Sequence, residues 1–287
     1  MSAASSGPAV PLTRRARRVA VRWCLFLGTV YLGCLLVLWS FENSMVFRPL
    51  TAAESWNDRS VPPGRDVWLA NPDGTKIHAW WYPPDRPDAG AILLAHGNGG
   101  NLSHRSELAL ELRRTLGAGV LLFDYPGYGK SVGKPTEAGC YAAADAAYEW
   151  LTGEAKIPSH RIIILGESLG GGVAVHTAAN HDCRALVLMF TFTTLPAAAK
   201  THFRWLPTYW LMRNRFDNMA KIGSVKRPVF IMHGTADEVI PYKQGEVLFA
   251  AANEPKEFLR LEGFGHNSEL PDEFFTSLAR FLERTAP

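Results

Sequence analysis

Residues 162–172 read IIILGESLGGG: four aliphatic positions run into Gly166-Glu167-Ser168-Leu169-Gly170, with two more glycines behind them. A short, continuously apolar run marks a strand buried on both faces, as in a parallel sheet. A strand that ends in G-x-S-x-G and passes directly into a helix makes a nucleophile elbow. The turn is so sharp that the serine takes a strained backbone conformation, and glycines two before and two after it leave room for neighbouring chain. The hydroxyl then stands at a helix N-terminus, where the partial positive charge favours a developing anion.

A serine is a weak nucleophile and needs a base. With this elbow the partners are expected downstream in the order serine, acid, histidine, each just past a strand. IMHGTADEVIP (231–241) places Asp237 after one apolar run, and LEGFGHN (261–267) places His266 after the next. A lone aspartate in a turn is ordinarily a local cap and a lone histidine ordinarily structural; the shared order and position single these two out. His266 would take the Ser168 proton and hand it to the leaving group, while Asp237 would fix the imidazole tautomer and stabilise its cation. Glu238, next to Asp237, reads as a surface residue.

Acyl transfer also needs donors for an oxyanion. The backbone N–H of Leu169 is one candidate, and Asn98 in the loop HGNGGN (96–101) is the second, because glycines let backbone approach a substrate closely. His96 precedes the serine and reads as a brace for that loop. FDYPGYGKS (123–131) ends like a phosphate-binding loop but lacks the G-x-x-x-x-G-K-[ST] spacing, so nucleotide binding is excluded and the segment serves as a landmark.

Outward from the elbow, strand and helix patterns alternate. RDVWLANPDGTKIHAWWYP (65–83) reads as a hairpin turning at Asp73-Gly74. Apolar runs follow at 91–96, 120–125, 162–168, 185–191, 228–234 and 256–263, with helical stretches near 103–116, 136–152, 170–180, 242–252 and 271–284. This order predicts an α/β fold with crossover helices on both faces of a mostly parallel sheet. Residues 192–227 are too long for a simple connection and are expected to form a small cap or lid. Their aromatics Phe203, Trp205, Tyr209 and Trp210 are candidates for a substrate pocket or a surface resting on lipid; the competing expectation is a helix whose aromatics pack on the core.

Together, HGNGGN, FDYPGYGKS, GESLGG, HGTADEVIP and GFGHN resemble the α/β-hydrolase superfamily, and within it the small membrane-anchored Bem46-like serine hydrolases. The resemblance covers nearly all of residues 64–283. It implies the α/β-hydrolase fold, a triad of Ser168, Asp237 and His266, no cofactor or metal, and activity on acyl esters or thioesters.

The N-terminus differs in character. Residues 1–48 carry six arginines and one acid, and the remainder is near neutral, which argues against nucleic acid as a partner. WCLFLGTVYLGCLLVLWSF (23–41) holds no charge over 19 residues and spans about 28 Å as a helix, the thickness of a bilayer core. Trp23 and Trp39 sit at its ends, as interfacial aromatics do. The reading is a cytoplasmic basic segment (1–22), a transmembrane anchor (23–41), a polar connector, and a hydrolase domain (49–287) on the extracytoplasmic side. A cleaved signal peptide is disfavoured because no small-residue cleavage site follows. A lipoprotein signal ending at Cys34 is disfavoured because the apolar run continues past it. Cys140 and Cys183 in the body are expected as two unpaired thiols.

Three functions are compatible with this pattern. A membrane-tethered ester or thioester hydrolase acting on lipid-like or small acyl substrates is favoured. A peptidase is disfavoured because residues 192–227 offer one acid, Asp217, to hold a substrate amine. A non-catalytic scaffold has no use for three catalytic groups.

Overall fold

The computed structural model describes residues 14–57, 64–86 and 88–285. The chain divides into two units, Met1–Glu42 and Asn43–Pro287. The first is dominated by helix α1 (Arg14–Val46), whose last turn belongs to the second unit. At 33 residues α1 is longer than the uncharged stretch, because the arginines ahead of it and residues 42–46 behind it continue the helix. Its apolar side chains are exposed, and by length and composition it fits a membrane span or a signal sequence.

The second unit begins with a two-residue strand, β1 (Arg48–Pro49), and then builds the sheet. The strands are β2 (Arg65–Ala70), β3 (Lys76–Tyr82), β4 (Ala91–Ala95), the short β5 (Gly99–Gly100), β6 (Gly119–Phe123), β7 (Ile162–Glu167), β8 (Ala185–Met189), β9 (Val229–Gly234) and β10 (Lys256–Leu261). Eight of them form one sheet in the order β10-β9-β8-β7-β4-β6-β3-β2, in which β3 runs antiparallel to both its neighbours, β2 and β6, and the other neighbouring pairs are parallel. The hairpin turns where expected, with Gly74 at φ +82° and the Asn71 N–H donating to the Thr75 carbonyl at 2.9 Å. Helices α2 (Ser106–Leu116), α3 (Glu137–Gly153), α4 (Leu169–Asn180), α8 (Tyr242–Ala251) and α9 (Asp272–Arg284) cover the sheet, whose central strands are buried end to end. This two-sided burial explains why those strands read as unbroken apolar runs.

The parallel register sets the working edge. Ala95 lies opposite Gly166, Glu167 opposite Met189, and Leu261 opposite Gly234, so the residues that follow β4, β7, β8, β9 and β10 emerge on one rim.

Two segments lie outside the sheet. The polar connector is part of the fold: β1 pairs in parallel with β5, Thr51 bridges Gly129, and Phe47 is 2% exposed in the core. These residues belong to the second unit, which starts at Asn43. Phe47 ends the three-residue apolar run Met45-Val46-Phe47, and its ring partner Phe216 lies far along the chain, so periodicity could not reveal its burial.

Residues 192–227 form three short helices, α5 (Leu195–His202), α6 (Thr208–Leu211) and α7 (Met219–Ile222). The Thr194 hydroxyl caps α5 by accepting from Ala197 N–H at 3.1 Å, and Pro196 occupies its first turn. The Glu137 carboxylate on α3 holds the far end, accepting from the Arg215 and Phe216 N–H groups at 2.5 and 3.0 Å. Cys140 and Cys183 are buried and unpaired; burial raises both thiols, Cys183 to about 12, which makes them chemically inert.

A chain beginning at Asn43 is expected to be soluble and to melt in a single cooperative transition by circular dichroism. Phe47→Ala in that chain is expected to cost about 3–5 kcal/mol in a denaturant titration, the range for emptying a buried aromatic site.

Candidate active site

Ser168 follows the last residue of β7 and precedes the first of α4, with φ +52° and ψ −114°, a conformation that side chains rarely adopt. Three bonds hold it there. Its N–H donates to the Met189 carbonyl at 2.8 Å, and its carbonyl accepts from Gly171 N–H at 3.0 Å and the Thr191 hydroxyl at 2.9 Å. The glycines are needed for closeness rather than flexibility. A Cβ at Gly166 would lie 2.3 Å from the Gly170 carbonyl oxygen, and one at Gly170 would lie 2.1 Å from that of Ala95.

The three residues chosen from the sequence meet at this rim. His266 Nε2 lies 3.0 Å from Ser168 Oγ, and His266 Nδ1 lies 2.8 Å from Asp237 Oδ2. An ionised carboxylate only accepts, so Nδ1 carries the proton and Nε2 is left to receive one from the serine. Asp237 Oδ1 is occupied separately, accepting from the N–H groups of Val239 and Ile240 at 2.9 and 2.7 Å. Burial pushes the Asp237 carboxyl up, but hydrogen bonds from His233, His266 and the Ile240 N–H outweigh it and hold the group well below the usual carboxylate range. The ring of Phe190 packs edge-on against His266, with centroids 5.8 Å apart.

The loop carrying Asn98 runs beside the serine: a Cβ at Gly97 would lie 3.6 Å from Ser168 Cβ. The Asn98 carbonyl accepts from the Arg48 N–H and the Tyr128 hydroxyl, and its side chain donates to the Val46 carbonyl. Its N–H takes no part in these bonds. Leu169 N–H is the first amide of α4, where no preceding helical turn offers an acceptor.

The α/β-hydrolase-fold family model matches residues 90–211. The α/β-hydrolase domain-containing protein WAV2 of Arabidopsis thaliana is 31% identical over 251 residues, covering 79% of this chain and 80% of that one. This chain belongs to the α/β-hydrolase family. A second relative, the uncharacterized protein Rv2307c of Mycobacterium tuberculosis, is 38% identical over 258 residues, 88% of this chain and 92% of that one. Among solved structures, the Pyrococcus furiosus esterase Pf2001 superposes with a TM-score of 0.67 at 20% identity, covering 84% of this chain and 98% of that one. A Paleococcus ferrophilus monoacylglycerol lipase gives 0.57 at 20% identity, over 73% and 99%. At these identities the structural likeness concerns the fold.

Several residues of this hydrolase's rim were not legible beforehand. His233, wholly buried beneath Asp237, has Nε2 2.8 Å from the Ile240 carbonyl oxygen and 3.2 Å from Asp237 Oδ2, two acceptors that place the proton on Nε2. It immediately precedes Gly234 in the motif that yielded Asp237, and that adjacency was the available signal. Glu167, adjacent to the serine, makes a two-pronged ion pair with Arg105 at 2.6 and 3.1 Å. Nothing in the sequence around Arg105 announces this. His96 behaves as the expected brace, buried with Nε2 3.3 Å from Asp124 Oδ1 and its ring against Tyr125.

The cap aromatics are placed differently from a core-packed helix. Phe203, Trp205 and Tyr209 are exposed, and Trp210 is 92% exposed, whereas Leu206 and Thr208 between them are buried. The segment 203–213 contains only the single turn α6, too short to bury a continuous face.

Gly170→Ala is expected to fail to fold or to lose several kcal/mol, because its methyl meets backbone that cannot retreat without separating β4 from α4. Gly153→Ala, with open space around it, is the control. Equal melting temperatures for the two would contradict this account of the elbow.

Proposed function

We propose that this chain is a serine hydrolase that cleaves carboxylic esters or thioesters through an acyl-enzyme intermediate. The observation carrying the proposal is the relay of 3.0 Å from Ser168 Oγ to His266 Nε2 and 2.8 Å from His266 Nδ1 to Asp237. Ser168 Oγ attacks the acyl carbon as His266 Nε2 takes its proton. The resulting oxyanion is met by the N–H groups of Leu169 and Asn98, with the α4 dipole behind them. His266 then protonates the departing alcohol or thiol. A water enters, gives a proton to His266 and attacks the acyl carbon, releasing the acid and restoring the serine hydroxyl. Asp237 stays ionised throughout, holding the imidazole orientation and offsetting its transient charge.

Ester chemistry is supported by the esterase and monoacylglycerol lipase among the structural neighbours. In the same reading α1 is an uncleaved membrane anchor, with the basic residues 1–22 cytoplasmic by the positive-inside rule and the hydrolase on the other side. The exposed aromatics Phe203, Trp205, Tyr209 and Trp210 then form the entrance surface for a lipid-like acyl substrate.

The test is labelling with a fluorophosphonate probe and turnover of p-nitrophenyl esters of rising chain length, beside an aminoacyl anilide. Ser168→Ala is expected to abolish labelling, and Ser168→Ala and His266→Ala to reduce ester turnover to background; Asp237→Asn is expected to lose about 10⁴-fold in kcat with its fold intact. Labelling that survives Ser168→Ala would overturn the assignment, and preference for the anilide would redirect it to peptides.

The depressed Asp237 carboxyl also fixes a pH dependence. Its folded pKa lies below the unfolded value of about 3.9, so the stability it contributes is fully present above about pH 4 and lost as pH falls through the folded value. The melting-temperature gap between wild type and Asp237→Asn is therefore expected to narrow as pH falls below about 4.

A further inference from the structure

We infer that residues 46–55, the stretch joining the apolar helix to the hydrolase body, form a positioning element of the oxyanion hole; this rests on the reading of Asn98 as an oxyanion donor. Asn98 is held by its carbonyl and by its side chain. The Arg48 N–H donates to the Asn98 carbonyl at 3.1 Å, and the Asn98 Nδ2 group donates to the Val46 carbonyl at 2.9 Å. The latter satisfies one of the orphan carbonyls at the end of α1, so a side chain from the catalytic loop caps the helix. One step further on, Leu50 N–H donates to the Gly100 carbonyl at 3.0 Å, and Asn101 Nδ2 reaches the carbonyls of Leu50 and Ser55 at 2.9 and 2.7 Å.

The other side of the segment is equally tied. Gly129 N–H donates to the Leu50 carbonyl at 3.0 Å, and Ala52 N–H donates to the Gly129 carbonyl at 2.8 Å. Phe47 is sunk in the core against Phe216. The segment thus lies between the two loops that follow β4 and β6, bonded to both, and Tyr128 from the second loop adds its own bond to the Asn98 carbonyl at 2.7 Å.

Such a clamp has work to do because the loop is intrinsically loose. Three of its six residues, Gly97, Gly99 and Gly100, are glycines, and Gly100 sits at φ +85°. Backbone of that composition has many accessible conformations. An oxyanion donor acts only when it is already aimed at the developing charge, and loss of one donor costs about 10²–10³ in kcat. The bonds from Arg48, Val46 and Tyr128 fix the peptide plane that follows Asn98 and the Asn98 side chain, while the plane before it, which carries the Asn98 N–H, is held by His96 Nδ1 donating to the Gly97 carbonyl at 2.7 Å; the segment and His96 together aim the donor. The tether and the catalytic apparatus consequently share residues.

The test uses full-length chain, with kcat expressed per titrated active site. Arg48→Pro removes the N–H that meets Asn98, whereas Arg48→Ala keeps it. Asn98→Ala removes the bond to Val46 but retains the backbone donor. Asn43→Ala, whose side chain bonds Pro135 and Asn214 away from the loop, is the control. Arg48→Pro and Asn98→Ala are expected to lower kcat about tenfold to a hundredfold with KM within about twofold, and to weaken a boronic acid transition-state analogue by the same factor. Arg48→Ala and Asn43→Ala are expected to match wild type. Because the two bonds serve one donor, the double variant is expected to lose no more than about 10³-fold in total. Wild-type kcat and boronate affinity per active site in Arg48→Pro and Asn98→Ala, while Ser168→Ala is dead, would overturn the inference and leave the hydrolase reading standing. An active Ser168→Ala would sink that reading first.

Discussion

Everything at the rim follows from how closely α4 approaches the ends of β4 and β7. With only hydrogen at positions 166 and 170, the helix backbone comes near enough that a Cβ at Gly170 would lie 2.1 Å from the Ala95 carbonyl oxygen and 2.6 Å from that of His96. Two consequences come from one contact. Ser168 is lifted clear of the sheet in its strained conformation, and the loop beginning at His96 is brought alongside it. The cost of that conformation, about 1–3 kcal/mol, is offset by the bonds from Met189, Gly171 and Thr191.

The electrostatics are built around a carboxylate that is nowhere short of donors. Asp237 receives two backbone N–H groups on one oxygen and the two imidazoles of His233 and His266 near the other. A buried charge without such partners would be neutralised by protonation instead. With the charge kept, the imidazole of His266 is held with its free nitrogen toward the serine. His233, which also bonds the Ile240 carbonyl, ties the acid-bearing loop back to the strand it leaves.

Two pieces of chain outside the sheet complete the molecule in contrasting ways. The cap is pinned at both ends, by Thr194 at its start and by Glu137 near its finish, and shows its aromatics to the outside between them. The segment after α1 is pinned along its length, and it is fastened to the most glycine-rich loop of the rim. A stretch that reads as a spacer is thus structural, because it is held largely through its own backbone groups, whose bonds leave no mark on its residue types.

Residue types alone carried the alternation of strands and helices, the elbow and the identity of the three polar residues that meet there. Buried parallel strands demand apolar runs, and the sharp turn demands glycine, so these constraints are written in residue types close together in the chain. Tertiary structure alone decided the pairing of β1 with β5, the ion pair between Arg105 and Glu167, the place of His233 under Asp237, and the outward face of the cap aromatics. The physical reason is the same in each case. Hydrogen bonds between backbone groups or lone side chains far apart in the chain leave no period or motif behind, and whether an aromatic residue faces in or out depends on what surface the rest of the fold presents to it.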